Sequence, residues 1–240
     1  MQAVVIAGGK GTRLYPLTKN IPKALIPIEE TPILEIIVRQ LSHHGFTELV
    51  FATNHMHDQI YDYFGDGTKF DVSIDYSKEE IPLGTAGPIS LLERLTDDIL
   101  VINCDIFSDV DFGDFVMYHK SENNTATILS VKKEEKYPYG VIKIIGETFE
   151  DIIEKPTLSF KIYGGAAVLN QQVIRELKRG EPKEMPDLLR DLKVKGHKIG
   201  IYDFSGMWID IGNRDSYTRA LELANVKSLC FNFGRNGKYG

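Results

Sequence analysis

Short apolar runs alternate with helical patterns through the first hundred residues of the chain. The first run, residues 2–7 (QAVVIA), is rich in β-branched residues and ends at Gly8-Gly9, which predicts a buried strand followed by a glycine-rich loop. Apolar residues then recur at helical spacing between an N-terminal Thr31-Pro32 and a terminating Gly45. The other elements predicted here are strands 48–52, 72–76 and 99–102 and helices 58–64 and 87–95. This alternation predicts a parallel sheet covered on both faces.

After about residue 120 the pattern changes to strands with short connections. The elements predicted here are strands 126–131, 140–145, 149–154, 161–169 and 198–204 and helices 171–178, 185–193 and 213–226. The strands that follow one another closely indicate an antiparallel portion, so the whole sheet is expected to be mixed. No repeat or linker separates the halves, and we expect one domain over residues 1–240, with a tail at 227–240.

Composition is that of an ordinary globular protein and adds limits on its surroundings. Hydrophobic residues make up 42% and charged residues 26%, and no apolar run reaches the roughly 18 residues of a membrane helix. The N-terminus lacks the basic lead of a signal peptide, and two cysteines, Cys104 and Cys230, fit a reducing compartment. The formal charge of −6 disfavours nucleic-acid binding. We therefore expect a soluble, cytoplasmic protein without membrane or nucleic-acid partners.

The most informative stretch is the glycine-rich loop at residues 8–13 (GGKGTR). Glycines let backbone N–H groups approach a phosphate, and Lys10 and Arg13 add positive charge beside them. A Walker A loop is excluded because Gly11, and not Ser or Thr, follows Lys10. A dinucleotide fingerprint is excluded because Leu14 occupies the position of its third glycine. The carboxyl end of strand 99–102 places Asn103-Cys104-Asp105 at the same edge of the sheet.

A longer pattern around this loop resembles a known family. Residues 7–18 (AGGKGTRLYPLT) with 22–28 (PKALIPI) resemble the signature of sugar-1-phosphate nucleotidylyltransferases. Further matches follow in the family's order at 82–87 (PLGTAG), 102–105 (INCD), 139–141 (YGV), 154–156 (EKP) and 208–212 (WIDIG). The resemblance implies an α/β, Rossmann-like, three-layer fold with a mixed, mainly parallel sheet and a sugar-binding lobe. It also implies condensation of a nucleoside triphosphate with a sugar 1-phosphate, using Mg²⁺ and releasing pyrophosphate.

The resemblance further implies roles for individual residues. Residues 1–120 form the nucleotide-binding half and 121–226 the sugar-phosphate-binding half, with Arg13, Lys23 and Asp105 as catalytic residues and Asp105 and Asp210 as ligands of Mg²⁺. Nucleotide contacts are expected from Ala7, Gly8, Gly9, Lys10, Gly11, Thr12, Arg13, Gly84, Thr85, Ala86, Gly87 and Asn103. Sugar-phosphate contacts are expected from Gly140, Glu154, Lys155, Tyr163 and Gly165.

Physical chemistry explains these residue types. A sugar phosphate is itself ionised near neutrality, so the reaction needs no protein base and depends on positioning and electrostatics. At 84–87 a predicted helix start should leave backbone N–H groups free to bind the nucleobase.

Two departures from the family pattern leave alternatives open. Cys104 stands where glycine is usual and narrows the space beside Asp105, and residues 163–167 (YGGAA) replace a usual Asn-Ala-Gly segment. The sequence most resembles the GTP-using mannose or heptose 1-phosphate branch, which serves nucleotide-sugar and polysaccharide biosynthesis. Uridylyl, thymidylyl and cytidylyl transfer remain alternatives, as does a nucleotide-sugar-sensing subunit without turnover. A homo-oligomer is left open, and no appended left-handed β-helix is expected.

Overall fold

A computed structural model describes residues 1–94 and 96–227, with the backbone alone for 225–227. The predicted tail from residue 228 onward lies outside the described residues, as does Leu95 at the end of the predicted helix 87–95.

The elements alternate as the sequence predicts and then become mostly strands. In chain order they are β1 (Gln2–Ile6), β2 (Pro27–Ile28), β3 (Thr31–Pro32), α1 (Ile33–His43), β4 (Glu48–Thr53), α2 (His57–Phe64), β5 (Ser73–Lys78), β6 (Asp98–Asn103), β7 (Ile106–Ser108), α3 (Phe112–Ser121), β8 (Ala126–Lys136), β9 (Val141–Ile145), β10 (Thr148–Ile153), β11 (Thr157–Asn170), α4 (Gln171–Arg175), α5 (Met185–Val194), β12 (Ile199–Phe204), β13 (Trp208–Asp210) and α6 (Arg214–Lys227). Short 3₁₀ turns lie at Thr12–Leu14, Lys23–Leu25, Thr68–Phe70 and Gly87–Leu91.

One seven-stranded sheet runs through both halves of the chain, in the order β12-β8-β11-β6-β1-β4-β5. The pairs β12–β8, β6–β1, β1–β4 and β4–β5 are parallel. β11 runs antiparallel to both β8 and β6. The prediction of a mixed, mainly parallel sheet is confirmed.

Two apolar layers cover this sheet, because side chains of a strand alternate between its faces. Within β1, Ala3 and Val5 pack with α1, α2, α3 and α6, whereas Val4 packs on the other face with α4, α5 and the 87–91 turn. All three of these residues are fully buried, which explains the continuous apolar run at the N-terminus. The predicted three-layer architecture is therefore confirmed.

Three local predictions differ from the structure. Helix α3 was not predicted, although Asp111 accepts a capping hydrogen bond from the Asp114 N–H at 2.9 Å. Thr31-Pro32 does not begin the first helix but forms β3, paired with β2, and α1 starts at Ile33. The helix predicted at 87–95 is a 3₁₀ turn ending at Leu91.

Beyond the central sheet, β8 and β11 continue as a two-stranded ribbon. Its pairs run from Lys132↔Lys161 to Lys136↔Thr157, and the β9–β10 hairpin follows at its far end. This ribbon and hairpin correspond to the predicted antiparallel portion. Across the described residues, no helix is both long enough and apolar enough to cross a membrane.

Candidate active site

The carboxyl ends of β1 and β6 bring the two expected segments together. The two strands are parallel neighbours with Ile6 opposite Asn103, and the Cys104 N–H donates to the Ile6 carbonyl at 3.1 Å. The glycine-rich loop therefore begins beside the segment that follows β6 and contains Asp105. The predicted placement of both segments at one edge of the sheet is confirmed.

The glycine-rich loop is fixed at Gly11 and open at Gly9. Gly11 has a φ of 62°, and a Cβ there would lie 2.9 Å from the Thr18 methyl and 3.1 Å from the Lys23 Cβ. The Thr18 hydroxyl donates to the Gly11 carbonyl at 2.7 Å, which holds the turn. A Cβ at Gly9 would meet nothing within 4 Å. Gly9 thus presents bare backbone to open space, as a phosphate-binding loop requires.

Lys23 and Asp105 form a closely paired, largely buried couple. The Lys23 Nζ donates to one Asp105 oxygen, Oδ2, and the two side chains are only 10% and 18% exposed. The other oxygen, Oδ1, is buried and has no hydrogen-bond partner among the residues that the structure describes. A buried carboxylate oxygen without a partner is costly, so this atom is suited to a ligand that supplies positive charge or a proton.

Asp210 approaches the same place from the second half of the chain. β13 pairs with β7, which places Asp210 opposite Ile106, and the Ile211 N–H donates to the Asp105 carbonyl at 3.0 Å. Desolvation and the Asp105 carboxylate raise the pKa of Asp210, while Lys23 and Arg13 oppose that shift. The two carboxylates predicted as metal ligands are therefore close enough to repel each other.

A cavity of about 250 Å³ lies between the glycine-rich loop, Lys23 and Asp105, and a larger cavity adjoins it on the side of Asp210. The smaller cavity is lined by Ile6, Gly9, Gly11, Thr12, Arg13, Lys23, Thr85, Asn103, Cys104, Asp105 and Gly212. The larger, of about 750 Å³, shares Arg13 and Gly212 with it and extends past Asp210 and Trp208 to Lys132, Lys133 and Arg219. A Cβ at Gly212 would lie 3.1 Å from an Asp210 oxygen and 3.3 Å from the Arg13 guanidinium, so Gly212 lets these side chains approach.

Cys104 lies in the wall of the smaller cavity, as its position beside Asp105 predicts. Its side chain is buried, and burial together with the nearby Asp105 charge raises the pKa of the thiol to about 12. Burial thus favours the neutral thiol, and the side chain forms part of the cavity wall.

The predicted sugar-phosphate residues lie mostly away from these two cavities. Glu154 and Lys155 are exposed at the end of β10, and a Cβ at Gly140 would lie 3.0 Å from a Glu154 carboxylate oxygen. Lys155 precedes a proline and has a φ of 44°, a strained conformation for lysine. Gly140 and Glu154 are thus brought together, but neither lines the cavities around Arg13.

Tyr163 and Gly165 belong to an irregularity in the β8–β11 pairing between Tyr163 and Ala167. Tyr163 packs against the apolar layer that contains Val4. Gly165 has a φ of 74°, and a Cβ there would lie 2.7 Å from the Ile106 side chain and 3.3 Å from the Asn103 amide. The Trp208 indole N–H donates to the Gly164 carbonyl at 2.9 Å and holds the irregularity against β13. Gly165 therefore packs directly behind Asn103, which lines the smaller cavity.

The expectation of free N–H groups at 84–87 is wrong for three of these residues. The N–H groups of Ala86 and Gly87 donate to the Lys183 carbonyl at 2.9 and 3.0 Å. The Thr85 N–H donates to the Glu184 carboxylate at 3.2 Å. These donors are occupied by the protein itself, and Thr85 is the residue of this segment that lines the smaller cavity.

Glu79 was missed as a site residue by reasoning from the sequence. One carboxylate oxygen accepts the Leu83 N–H at 2.8 Å, and the other lies 2.8 Å from where a Cβ of Gly8 would be. Burial raises the pKa of Glu79, and the hydrogen bond from Leu83 opposes that shift. Its position just after β5, at the same edge of the sheet as Asp105, is the signal that could have found it.

Comparisons with known proteins place the chain in a family. The profile of the nucleotidyl transferase family matches residues 2–225. Mannose-1-phosphate guanyltransferases of Debaryomyces hansenii and Pichia angusta are 31% and 32% identical over 96% and 93% of this chain. The chain covers 68% and 64% of their lengths, so it spans about two thirds of these curated relatives.

Solved structures show the same fold. A Bacillus anthracis protein assigned as a glucose-1-phosphate thymidylyltransferase superposes with a TM-score of 0.76 at 26% identity, over 100% of this chain and 97% of that one. HddC from Yersinia pseudotuberculosis superposes with a TM-score of 0.73 at 24% identity, over 92% and 98% of the two chains. The family profile over residues 2–225, with a relative at 31% identity, shows that the chain belongs to the nucleotidyl transferase family.

Proposed function

We propose that this protein transfers a nucleoside monophosphate from a nucleoside triphosphate to a sugar 1-phosphate and releases pyrophosphate. GTP and a mannose-type sugar are favoured because relatives at 31–32% identity are mannose-1-phosphate guanyltransferases. A heptose-type sugar is kept beside them on the resemblance of the sequence alone. The observation that carries the proposal is the Lys23–Asp105 pair beside the open Gly9 backbone, in a cavity also lined by Arg13.

The residues present fit a Mg²⁺ ion. Asp105 Oδ1 is buried without a partner, and Asp210 lies close enough for Asp105 to raise its pKa. Magnesium is usually bound by one or two carboxylates, with phosphate oxygens and waters completing its shell. Asp105 and Asp210 would hold the ion, which when bound would neutralise charge on the reacting phosphates.

The chain's own residues would hold the nucleoside triphosphate and the sugar 1-phosphate so that the attacking oxygen is in line with the bond that breaks. Gly9 and Gly11 would bind the triphosphate through the backbone, with Arg13 adding bidentate contacts. Lys23, positioned by Asp105, would balance the charge on the phosphate that is attacked. The attacking sugar phosphate carries its own ionised oxygen, so no side chain needs to remove a proton. Catalysis then rests on orientation and fixed charge.

The test is pyrophosphate release from purified protein with Mg²⁺, across four nucleoside triphosphates crossed with hexose and heptose 1-phosphates. We expect one pair to dominate. Asp105→Asn and Lys23→Met should each lower kcat by about 10²–10³-fold, comparable to the loss of one preorganised electrostatic contact. Asp62→Asn, an exposed aspartate on α2, is the matched control and should behave as wild type.

Two results would contradict the proposal. One is nucleotide binding without pyrophosphate release from any pair, which would favour a sensing subunit. The other is release that survives both Asp105→Asn and Lys23→Met unchanged, which would place the chemistry elsewhere.

A further inference from the structure

The segment 83–87 is bound along its length by a short stretch that is distant in sequence. We name residues 181–184 (Glu181, Pro182, Lys183 and Glu184) the strap. The Lys183 N–H donates to the Leu83 carbonyl at 2.9 Å, and the Lys183 carbonyl accepts from Ala86 and Gly87. Lys183 of the strap therefore forms backbone hydrogen bonds with both ends of the segment 83–87.

The two glycines of the segment make room for the strap. Gly84 has a φ of 78°, and a Cβ there would lie 2.8 Å from both the Lys183 carbonyl and a Glu184 carboxylate oxygen. A Cβ at Gly87 would lie 2.8 Å from the Glu181 carbonyl. Backbone atoms cannot give way at such distances, so these glycines serve contact between two parts of the chain.

Glu184 and Thr85 make a reciprocal contact at the centre. Glu184 is the N-cap residue of α5, yet its carboxylate makes no capping bond to its own helix. It accepts instead from the Thr85 N–H at 3.2 Å and the Thr85 hydroxyl at 2.8 Å. The same hydroxyl accepts from the Met185 N–H at 2.8 Å and so caps the helix in place of Glu184. A hydroxyl can donate one hydrogen bond and accept another, so this arrangement satisfies all three groups.

This contact fixes a wall of the candidate nucleotide site, because Thr85 lines the cavity that holds Gly9, Arg13 and Lys23. We propose that Glu184 is a positioning residue for the nucleotide: it does not line the cavity itself, but it holds Thr85 and its segment in the conformation that the nucleotide meets. The proposal rests on the proposed function, which makes that cavity the nucleotide site. Glu184 should then affect nucleotide binding far more than the chemical step.

The variants follow from the geometry. Glu184→Ala removes the acceptor, whereas Glu184→Gln keeps an amide oxygen that can accept both Thr85 donors. Asp187→Asn is the matched control, since Asp187 lies in the first turn of α5 and pairs with Arg190. Thr85→Val removes the hydroxyl with little change in shape and supplies a double-mutant cycle with Glu184→Ala.

We expect Glu184→Ala to raise both KM and Kd for the nucleoside triphosphate by about 3–10-fold, the range expected for partly exposed hydrogen bonds to a charged group. kcat and the KM for sugar 1-phosphate should stay within about twofold of wild type. Glu184→Gln should restore most of the affinity, and Asp187→Asn should match wild type. The Thr85→Val/Glu184→Ala double variant should be no worse than the poorer single variant.

Calorimetric titration of the four nucleoside triphosphates with Mg²⁺ separates this inference from the proposed function. If wild type shows no turnover but Glu184→Ala still weakens nucleotide binding selectively, the positioning role stands and the proposed reaction fails. Equal Kd values for wild type and Glu184→Ala would overturn the positioning role, as would wild-type protein that binds no nucleotide. A general loss of kcat and of both affinities that Glu184→Gln does not restore would also overturn it, since that pattern indicates structural damage.

Discussion

For Lys23 and Asp105, the sequence predicts the identity of the residues but not the contact between them. Their identity as candidate catalytic residues came from motifs, and the position of Asp105 at a strand end followed from the parallel sheet. Their pairing in a largely buried couple depends on residues 82 positions apart and could not be read from local pattern. The partnerless Asp105 Oδ1 is likewise a property of the packed site.

Glu79 carries a residue-scale prediction about pH. Burial raises its pKa, so the folded state disfavours its charged form. Its neutral form supports full stability below the ordinary glutamate pKa, and that stability is lost as pH rises through the raised value. Glu79→Gln keeps an acceptor for the Leu83 N–H without the charge. We therefore expect the variant to have a higher Tm than wild type at pH 7, with the difference shrinking toward pH 4.

The measurement is thermal unfolding of both proteins from pH 4 to pH 8, compared at each pH so that other titrating groups cancel. A Tm difference that stays constant across this range would contradict the argument.

At the scale of elements, α6 braces the loop that follows the glycine-rich turn. The Arg214 guanidinium donates twice to the Tyr15 carbonyl, at 3.1 and 2.8 Å, and the Tyr217 hydroxyl donates to the Pro27 carbonyl at 2.8 Å. The loop between these points carries Lys23. A helix at the end of the described chain thus holds the loop that carries Lys23, near the beginning of the chain.

Arg214→Ala should loosen this loop. Each lost hydrogen bond contributes about 0.5–1.5 kcal/mol, and less where it is exposed. We expect the KM for the nucleoside triphosphate to rise about 3–10-fold in steady-state assays, with a change of only a few degrees in Tm. Arg190→Ala, which removes an exposed arginine paired with Asp187 on α5, is the control. Equal kinetics for the two variants would show that α6 does not position the loop.

The sequence pattern predicts some of the strands and helices and misses others. β1, β4 and β6 were predicted because buried parallel strands read as continuous apolar runs. Helix α3 was missed although its signal was present, with the Asp111 cap followed by buried Phe112, Phe115 and Val116 at helical spacing. The 3₁₀ turn at 87–91 could not be foreseen, since its first N–H group is taken by the Lys183 carbonyl, distant in sequence.

At the scale of the whole molecule, the ribbon and hairpin extend from the sheet with little covering. β12 accompanies β8 only as far as Val131, and several apolar residues beyond that point are exposed, including Ile142, Ile144 and Phe149. Segments with few buried contacts open locally at low free-energy cost. The connection between β10 of the hairpin and β11 of the ribbon carries Glu154 and Lys155, which the family resemblance assigns to the sugar phosphate.

Limited trypsin digestion tests whether this part closes over substrate. Among the described residues, we expect the first cleavage to fall within 132–161, which contains six lysines. Nucleoside triphosphate and sugar 1-phosphate together, with Asp105→Asn used to prevent turnover, should slow this cleavage several-fold. Cleavage at the exposed Lys178 and Arg179 is the internal control and should not change.

Protection at both places alike would indicate general stabilisation by ligand. An unchanged pattern would mean that Glu154 and Lys155 stay clear of the sugar. The alternation of elements sufficed to predict the fold class, but the strand order, and the contribution of Lys132 and Lys133 of the ribbon to the larger cavity, depend on pairings between remote strands.

The strap has a consequence for any attempt to exchange segment 83–87 between relatives. Residues 83–87 look like a self-contained cassette, yet Gly84 and Gly87 are shaped by residues about a hundred positions later. A transplant of the first segment alone would set foreign side chains against the Lys183 and Glu181 carbonyls. The two segments therefore form one structural unit, although they are far apart in the sequence. A functional chimera has to take both segments from the same relative.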